Sequence, residues 1–233
     1  MKTFIIGDIH GCSGALRLIL AKLSPDPETD RLILLGDLFD RGPDSWGVYY
    51  FVRELADKYG GRFTLLRGNH EDYLLRTKMS FGDRLVWERV GRRDTVRSFK
   101  KHGEKMESTV PWLQEHVVNF YRDEQGRFQC VHAGLKIDPI EANDAYTMVH
   151  DHSVAQMNKY AGPLTVVGHI ALENPAWFAG DGKTVRQIKE NMWHDLPQTG
   201  TLCIDAGCGK GGRLVGMMIE DSRYLLFSAG ENG

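Results

Sequence analysis

Along the first third of the chain, short runs of apolar residues alternate with stretches in which apolar residues recur every three to four positions. A continuous apolar run fits a strand buried on both faces, and the three-to-four spacing fits a helix with one buried stripe. Lys2 to Ile6 reads as the first strand, closed by Gly7 and Asp8. Ser13 is placed to cap a helix whose Leu16, Ile19, Leu20 and Leu23 share one face, and Pro25 and Pro27 end it. Arg31 to Leu35 is the second strand, ending at Gly36-Asp37, and Trp46 to Tyr59 the second helix. Arg62 to Leu66 is the third strand, ending at Gly68-Asn69. From about Glu71 to His116 the pattern is helical and rich in Arg and Lys, with Trp87 and Trp112 as large anchors, which predicts a helical insertion (71–116) over the sheet. Further short strands are expected at Phe128 to His132, Leu164 to His169, Val185 to Ile188, Thr201 to Asp205, Leu214 to Ile219 and Tyr224 to Ser228. The glycine turns between them predict a second, more antiparallel sheet. This rhythm is that of an α/β protein, and with no repeat or linker to divide it, residues 1–233 are expected to form one domain.

Hydrophobic residues make up 42% of the chain and charged residues 26%, the proportions of a globular protein with a sizeable core. Lys+Arg 29 against Asp+Glu 31 gives a formal net charge of −2, which excludes strong bulk attraction to nucleic acid or anionic membrane. The run Phe4 to Ile6 is too short for a leader or a membrane span, and nothing else approaches eighteen apolar residues, so a cytoplasmic location is expected. Cys12, Cys130, Cys203 and Cys208 form no CxxC pair and are read as reduced thiols. Arg84, Arg89, Arg92, Arg93, Arg97, Lys100, Lys101 and Lys105 fit a solvated helix face, or, more sharply, a basic lid over an acidic substrate. Gly207, Gly209 and Gly212 spell G-x-G-x-x-G, but the strand pattern at Leu214 to Ile219 that follows makes this a hairpin turn rather than a dinucleotide site. Trp177 and Phe178 fit either a pocket mouth or the core.

Five strand ends carry six nitrogen or oxygen donors. Asp8 and His10 follow the first strand, Asp37 the second and Asn69 the third, while His132 and His169 end two later runs. Taken singly, an aspartate there is commonly a cap and a histidine commonly a hydrogen-bonded loop residue. Six together, mostly beside glycine, favour one shared site at the carboxyl ends of the strands. With no thiolate among them, they suit two ions such as Mn, Fe or Zn rather than a structural zinc. Arg41 and Arg67, each close to a ligand position, offer planar forks for phosphate oxygens, with surface ion pairs as the bland alternative. His70 is then the candidate general acid, with Asp40 fixing its tautomer and raising its pKa.

In order and spacing these motifs resemble the phosphoprotein phosphatase family of calcineurin-like metallophosphoesterases, in its bacterial and phage branch. The family pattern GDxHG, GDxxDRG, GNHE, HAG or HGG and a late GH recurs as Gly7 to Gly11, Gly36 to Gly42, Gly68 to Glu71, His132-Ala133-Gly134 and Gly168-His169. The resemblance implies a sandwich of two mixed β-sheets flanked by helices, in four layers α/β/β/α. It also implies one metal on Asp8, His10 and Asp37, and a second on Asp37, Asn69, His132 and His169. The expected reaction is phosphomonoester hydrolysis by a hydroxide shared between the ions, without a phosphoenzyme. In that reading Asp40 and His70 are the acid pair and Arg41 contacts phosphate; Arg67 and Asn69 are further candidate phosphate contacts.

Family members carry a further phosphate-binding arginine some fifteen residues beyond HAG. Here the stretch reads Tyr146 to His152, and no arginine lies between Arg127 and Arg186. His150 or His152 is the candidate replacement, and a third metal site at this His-Asp-His loop is a weaker alternative. The leading reading is a serine/threonine protein phosphatase acting on phosphorylated protein. The alternative, favoured by the missing arginine and the basic segment, is a dinucleoside polyphosphate (diadenosine tetraphosphate) hydrolase. A catalytically silent phosphate-binding module predicts decay at ligand positions, and all six are filled.

Overall fold

A computed structural model describes residues 1–153 and 158–231. Strands β1 (Thr3–Ile6), β2 (Arg31–Leu34), β3 (Phe63–Leu66) and β4 (Val117–Val118) run parallel as consecutive neighbours. Beside β1, on its other edge, lie β12 (Leu214–Glu220), β13 (Arg223–Ala229) and β10 (Trp193–Asp195), all antiparallel, completing a seven-stranded sheet. The second sheet has six strands: β5 (Phe120–Arg122), β6 (Gln129–Val131), β7 (Thr165–Val167), β11 (Thr201–Cys203), β8 (Ala176–Phe178) and β9 (Val185–Gln187), in that spatial order. Its centre, β6-β7-β11, is parallel, and its margins are antiparallel.

The hairpin β12–β13 corrects the sequence expectation, which put it in the second sheet. Along β12, Val215, Met217 and Ile219 face the space between the sheets, while Leu214 and Met218 pack on the helical side. A hairpin buried on both faces needs a sheet on one side and a helix on the other, and that place exists beside β1. Helix α1 (Ser13–Leu23) covers it, with Ile19 and Leu23 close against Gly216.

Three apolar layers hold the sandwich. Phe4, Ile6, Leu32 and Leu34 pack under α1, α2 (Ser45–Tyr59) and α5 (Arg92–Lys101). Ile5, Ile33 and Leu66 meet Cys130, Val166 and Leu202 between the sheets. Val131, Val167 and Phe178 pack outward on Met148 and Val149 of α7 (Ala145–His150). The segment read as a helical insertion contains α3 (Asn69–Leu75), α4 (Phe81–Arg89), α5 and α6 (Val110–His116).

Ser13 is the first residue of α1 rather than its cap, and makes no cap bond. Its hydroxyl donates instead to Asp44 Oδ2 at 2.6 Å, and Asp44 caps α2 by accepting the Gly47 N–H. Phe178 is core, and Trp177 donates Nε1–H to the Thr199 carbonyl just before β11 begins, so neither lies at the strand ends that carry the site. All four cysteines are buried and free.

Candidate active site

The parallel strands β1, β2 and β3 of one sheet and β6, β7 and β11 of the other deliver their carboxyl ends to one rim, where Asp8, Asp37, Asn69, His132, His169 and Asp205 emerge. The loops there are bent sharply. Of the nine non-glycine residues with positive φ among the described residues, five are His10, Asp37, Asp40, Arg41 and His169. Each such conformation costs about 1–3 kcal/mol and persists only where surrounding packing over-determines it, which is characteristic of functional sites.

Asp37 stands at the centre. Its Oδ2 lies 3.4 Å from His10 Nε2 and 3.8 Å from His70 Nε2, and its Oδ1 lies 3.4 Å from His132 Nε2. Asn69 Oδ1 lies 3.1 Å from His132 Nε2 and 3.0 Å from His169 Nδ1. Asp8 Oδ2 accepts the His169 backbone N–H at 3.0 Å and lies 3.9 Å from His10 Nε2. Two donor groups result that share Asp37: His10, Asp37 and His70 on one side, and Asp37, His132 and His169 on the other. The first takes in His70 and leaves Asp8 at its margin.

The tautomers follow from the outer contacts. His10 Nδ1 donates to the Phe39 carbonyl and His132 Nδ1 to the Leu35 carbonyl, both at 2.8 Å. Each Nε2 is thus a bare lone pair aimed at the Asp37 carboxylate. Buried lone pairs facing one another are unfavourable unless a cation sits among them. On the His10 side the Arg41 guanidinium takes that place, touching His10 Nε2 and lying 3.3 Å from His70 Nε2. Asp8 Oδ1 and His169 Nε2 are buried with no hydrogen-bond partner. Burial pushes the pKa of His10 and of His132 below the ordinary imidazole range, and burial with His132 alongside brings His169 to about 2. Burial with Asp205 and Asp37 nearby pushes the Asp8 carboxyl well up. Neutral imidazoles and crowded carboxylates are the electrostatics that bound cations relieve, and the donor set fits them.

His70 and Asp40 form a buried pair, Nδ1 to Oδ2 at 2.6 Å. Burial works against charge on His70, but Asp37 and the Asp40 hydrogen bond outweigh it and hold the pKa above the ordinary value. Asp40 is itself held by Trp87 Nε1–H at 2.7 Å and Thr95 Oγ1–H at 2.6 Å, from α4 and α5.

Arg67 is turned away from this cluster, with Nη1 3.7 Å from Asp72 Oδ1. His150 lies on the same carboxylate, Nε2 at 2.7 Å from Asp72 Oδ2, and beside Arg76 Nη2 at 3.1 Å. His152 stacks on His169, ring centroids 4.3 Å apart.

Sequence reasoning gave no role to Glu71, which is fully buried. It accepts the backbone N–H groups of Asp37 at 2.7 Å, Leu38 at 2.8 Å and Gly68 at 3.1 Å, tying the end of β2 to the end of β3. The signal was its place in Gly-Asn-His-Glu. Thr95, Arg76 and Asp72 had no signal of their own, because each is joined to the site only by the fold; Asp205 ends the strand read at Thr201 to Asp205 close to Gly207, the same strand-end signal, and was given no role. Glu71→Ala leaves three buried N–H groups unpaired, each worth about 1–3 kcal/mol. A fall in Tm with weaker metal retention is the expected outcome; a Tm equal to wild type would remove this role.

Two mixed sheets packed face to face, with strand-end donors and a His–Asp pair on one rim, define a metallophosphoesterase sandwich. The chain belongs to the calcineurin-like phosphoesterase family, whose model matches residues 1–195. Among curated proteins, the symmetrical bis(5'-nucleosyl)-tetraphosphatase of Erwinia tasmaniensis is 26% identical over 97% of each chain. Among solved structures, a provisionally assigned diadenosine tetraphosphatase aligns with TM-score 0.62 and 20% identity, over 100% of this chain and 95% of that one. A cold-active protein tyrosine phosphatase aligns with TM-score 0.60 and 16% identity, over 97% of this chain and 75% of that one. The family is metal-dependent. Among the described residues, no helix is long and apolar enough to cross a membrane.

Proposed function

We propose that the protein hydrolyses bis(5'-nucleosyl) tetraphosphates at the middle of the phosphate chain, using two metal ions. The observation that carries the metal chemistry is the convergence of buried, bare donor atoms on both oxygens of Asp37. The substrate rests on the curated relatives, which match this chain end to end and are tetraphosphatases by name. Asp8, His10 and Asp37 would hold one ion, and Asp37, Asn69, His132 and His169 the other. Mn, Fe and Zn all suit such donors. When bound, the ions act as Lewis acids and lower the pKa of water so that it attacks phosphorus at neutral pH.

The remaining work falls to the chain. Arg41 exchanges its contacts with His10 and His70 for the substrate phosphate, gripping two oxygens with its fork. His70, protonated on Nε2 and anchored through Nδ1 to Asp40, gives its proton to the leaving oxygen. Arg67 and His150 lie on Asp72 and would meet the substrate farther from the scissile bond. The positive residues of α4 and α5 would attract the polyanion, with Arg92 and Arg93 held on Glu88 and Arg97 on Asp94. The protein phosphatase reading has weaker support, since His150, the candidate for the absent arginine, is bound to a carboxylate.

The test is a comparison of kcat/KM for the Mn²⁺-loaded protein on bis(5'-adenosyl) tetraphosphate, a phosphothreonine peptide and p-nitrophenyl phosphate. The expected result is a clear preference for the tetraphosphate, with ADP as the nucleotide product. Turnover of the phosphopeptide with the tetraphosphate untouched would overturn the substrate reading.

A further inference from the structure

The glycine-rich turn at Gly207 to Gly212 and the α4–α5 turn at Gly91 meet over one segment of the site. Asp40 and Arg41 both have φ +71, a conformation that needs outside support. Gly91, φ +118, caps α5 and lies against the Arg41 backbone: a Cβ there would press on Arg41 N, with Arg41 Cα at 3.0 Å and Cγ at 3.2 Å. Gly209, φ +77, approaches from the loop between β11 and β12. A Cβ on it would sit 2.8 Å from His10 Cβ and 3.1 Å from Arg41 Cβ. Both positions combine a left-handed backbone with an approach closer than any side chain tolerates.

We propose that Gly91 and Gly209 are positioning residues that clamp the Asp40–Arg41 segment from opposite parts of the chain and so aim the Arg41 guanidinium at the substrate phosphate. This rests on the reading of Arg41 as the phosphate contact. The clamp gives the helical insertion a second task beside supplying Trp87 and Thr95 to Asp40. It also accounts for Gly209, the middle glycine of the G-x-G-x-x-G string, which is followed by strand β12 rather than a helix. Gly126 has a similar φ, +69, but nothing within 4 Å of an added Cβ, so it separates backbone strain from loss of the clamp.

The experiment compares Gly91→Ala, Gly209→Ala, Gly126→Ala and Arg41→Ala, each metal-loaded, by KM and kcat on p-nitrophenyl phosphate, by Ki for orthophosphate and by bound ions per chain. Arg41→Ala should raise the Ki about 10-fold or more, as loss of a charged hydrogen bond does. Gly91→Ala and Gly209→Ala should each raise KM and Ki roughly 5-fold or more, on the same grounds; both ions stay bound in Gly91→Ala, whereas Gly209→Ala, whose Cβ meets His10 first, also weakens binding of the ion that His10 would hold. Combined with Arg41→Ala, they should add little further loss. Gly126→Ala should leave all three readouts at wild type. If one glycine variant fails to fold, the other carries the same prediction alone. An unchanged Ki in both glycine variants while Arg41→Ala is impaired overturns the clamp, as does a full additional loss in the Arg41→Ala background. An unchanged Ki in Arg41→Ala itself overturns the reading of Arg41 and, with it, the clamp.

Discussion

Asp37→Asn is expected to lower the bound metal from two ions per chain to one or none, and to cut turnover by roughly 10³-fold or more, the several kcal/mol that metal ions supply to a phosphoryl transition state. Both carboxylate oxygens are committed: Oδ2 faces His10 and His70, and Oδ1 faces His132. An amide of the same shape keeps one acceptor oxygen, and its NH2 has no lone pair to offer an ion on the other side. The substitution also weakens the His70 backbone N–H bond, which Asp37 Oδ1 accepts at 3.1 Å, so Tm is measured beside metal content. Two ions retained at wild-type affinity would refute the shared-ligand assignment.

His70→Asn is expected to leave both ions in place and to reduce kcat by roughly 10²–10⁴-fold on substrates whose leaving oxygen needs a proton. Its Nδ1 is locked by Asp40, and Asp40 in turn by Trp87 and Thr95, so the ring has one orientation with Nε2 toward Asp37. The leaving group separates the acid role from a ligand role. A phosphothreonine peptide, which releases an alkoxide, should suffer more than p-nitrophenyl phosphate, which releases a stabilised phenolate. Equal losses on both substrates, together with loss of an ion, would instead make His70 a ligand, as its place in the first donor group allows.

The rim of the site was legible in the sequence because each part of it is local. A buried strand, a glycine and a donor within a few residues fix where that donor emerges, and β1, β2, β3, β6 and β7 each end this way. What joins the parts was not legible. β4 and β5 are two and three residues long and lack a pattern of their own, so they exist through β3 and β6. The β12–β13 hairpin reads equally well in either sheet until α1 and β1 claim its two faces. Glu71 looks like a helix residue in the chain and becomes a three-way acceptor only when β2 and β3 pair. Asp72 draws Arg67, Arg76 and His150 from up to 78 residues away, and no spacing rule could anticipate that.

The most direct test of the account is anomalous diffraction from crystals of the protein soaked in Mn²⁺. Two peaks are predicted, one toward His10 from Asp37 Oδ2 and the other toward His132 and His169 from Oδ1. A single peak, or peaks away from Asp37, would contradict it.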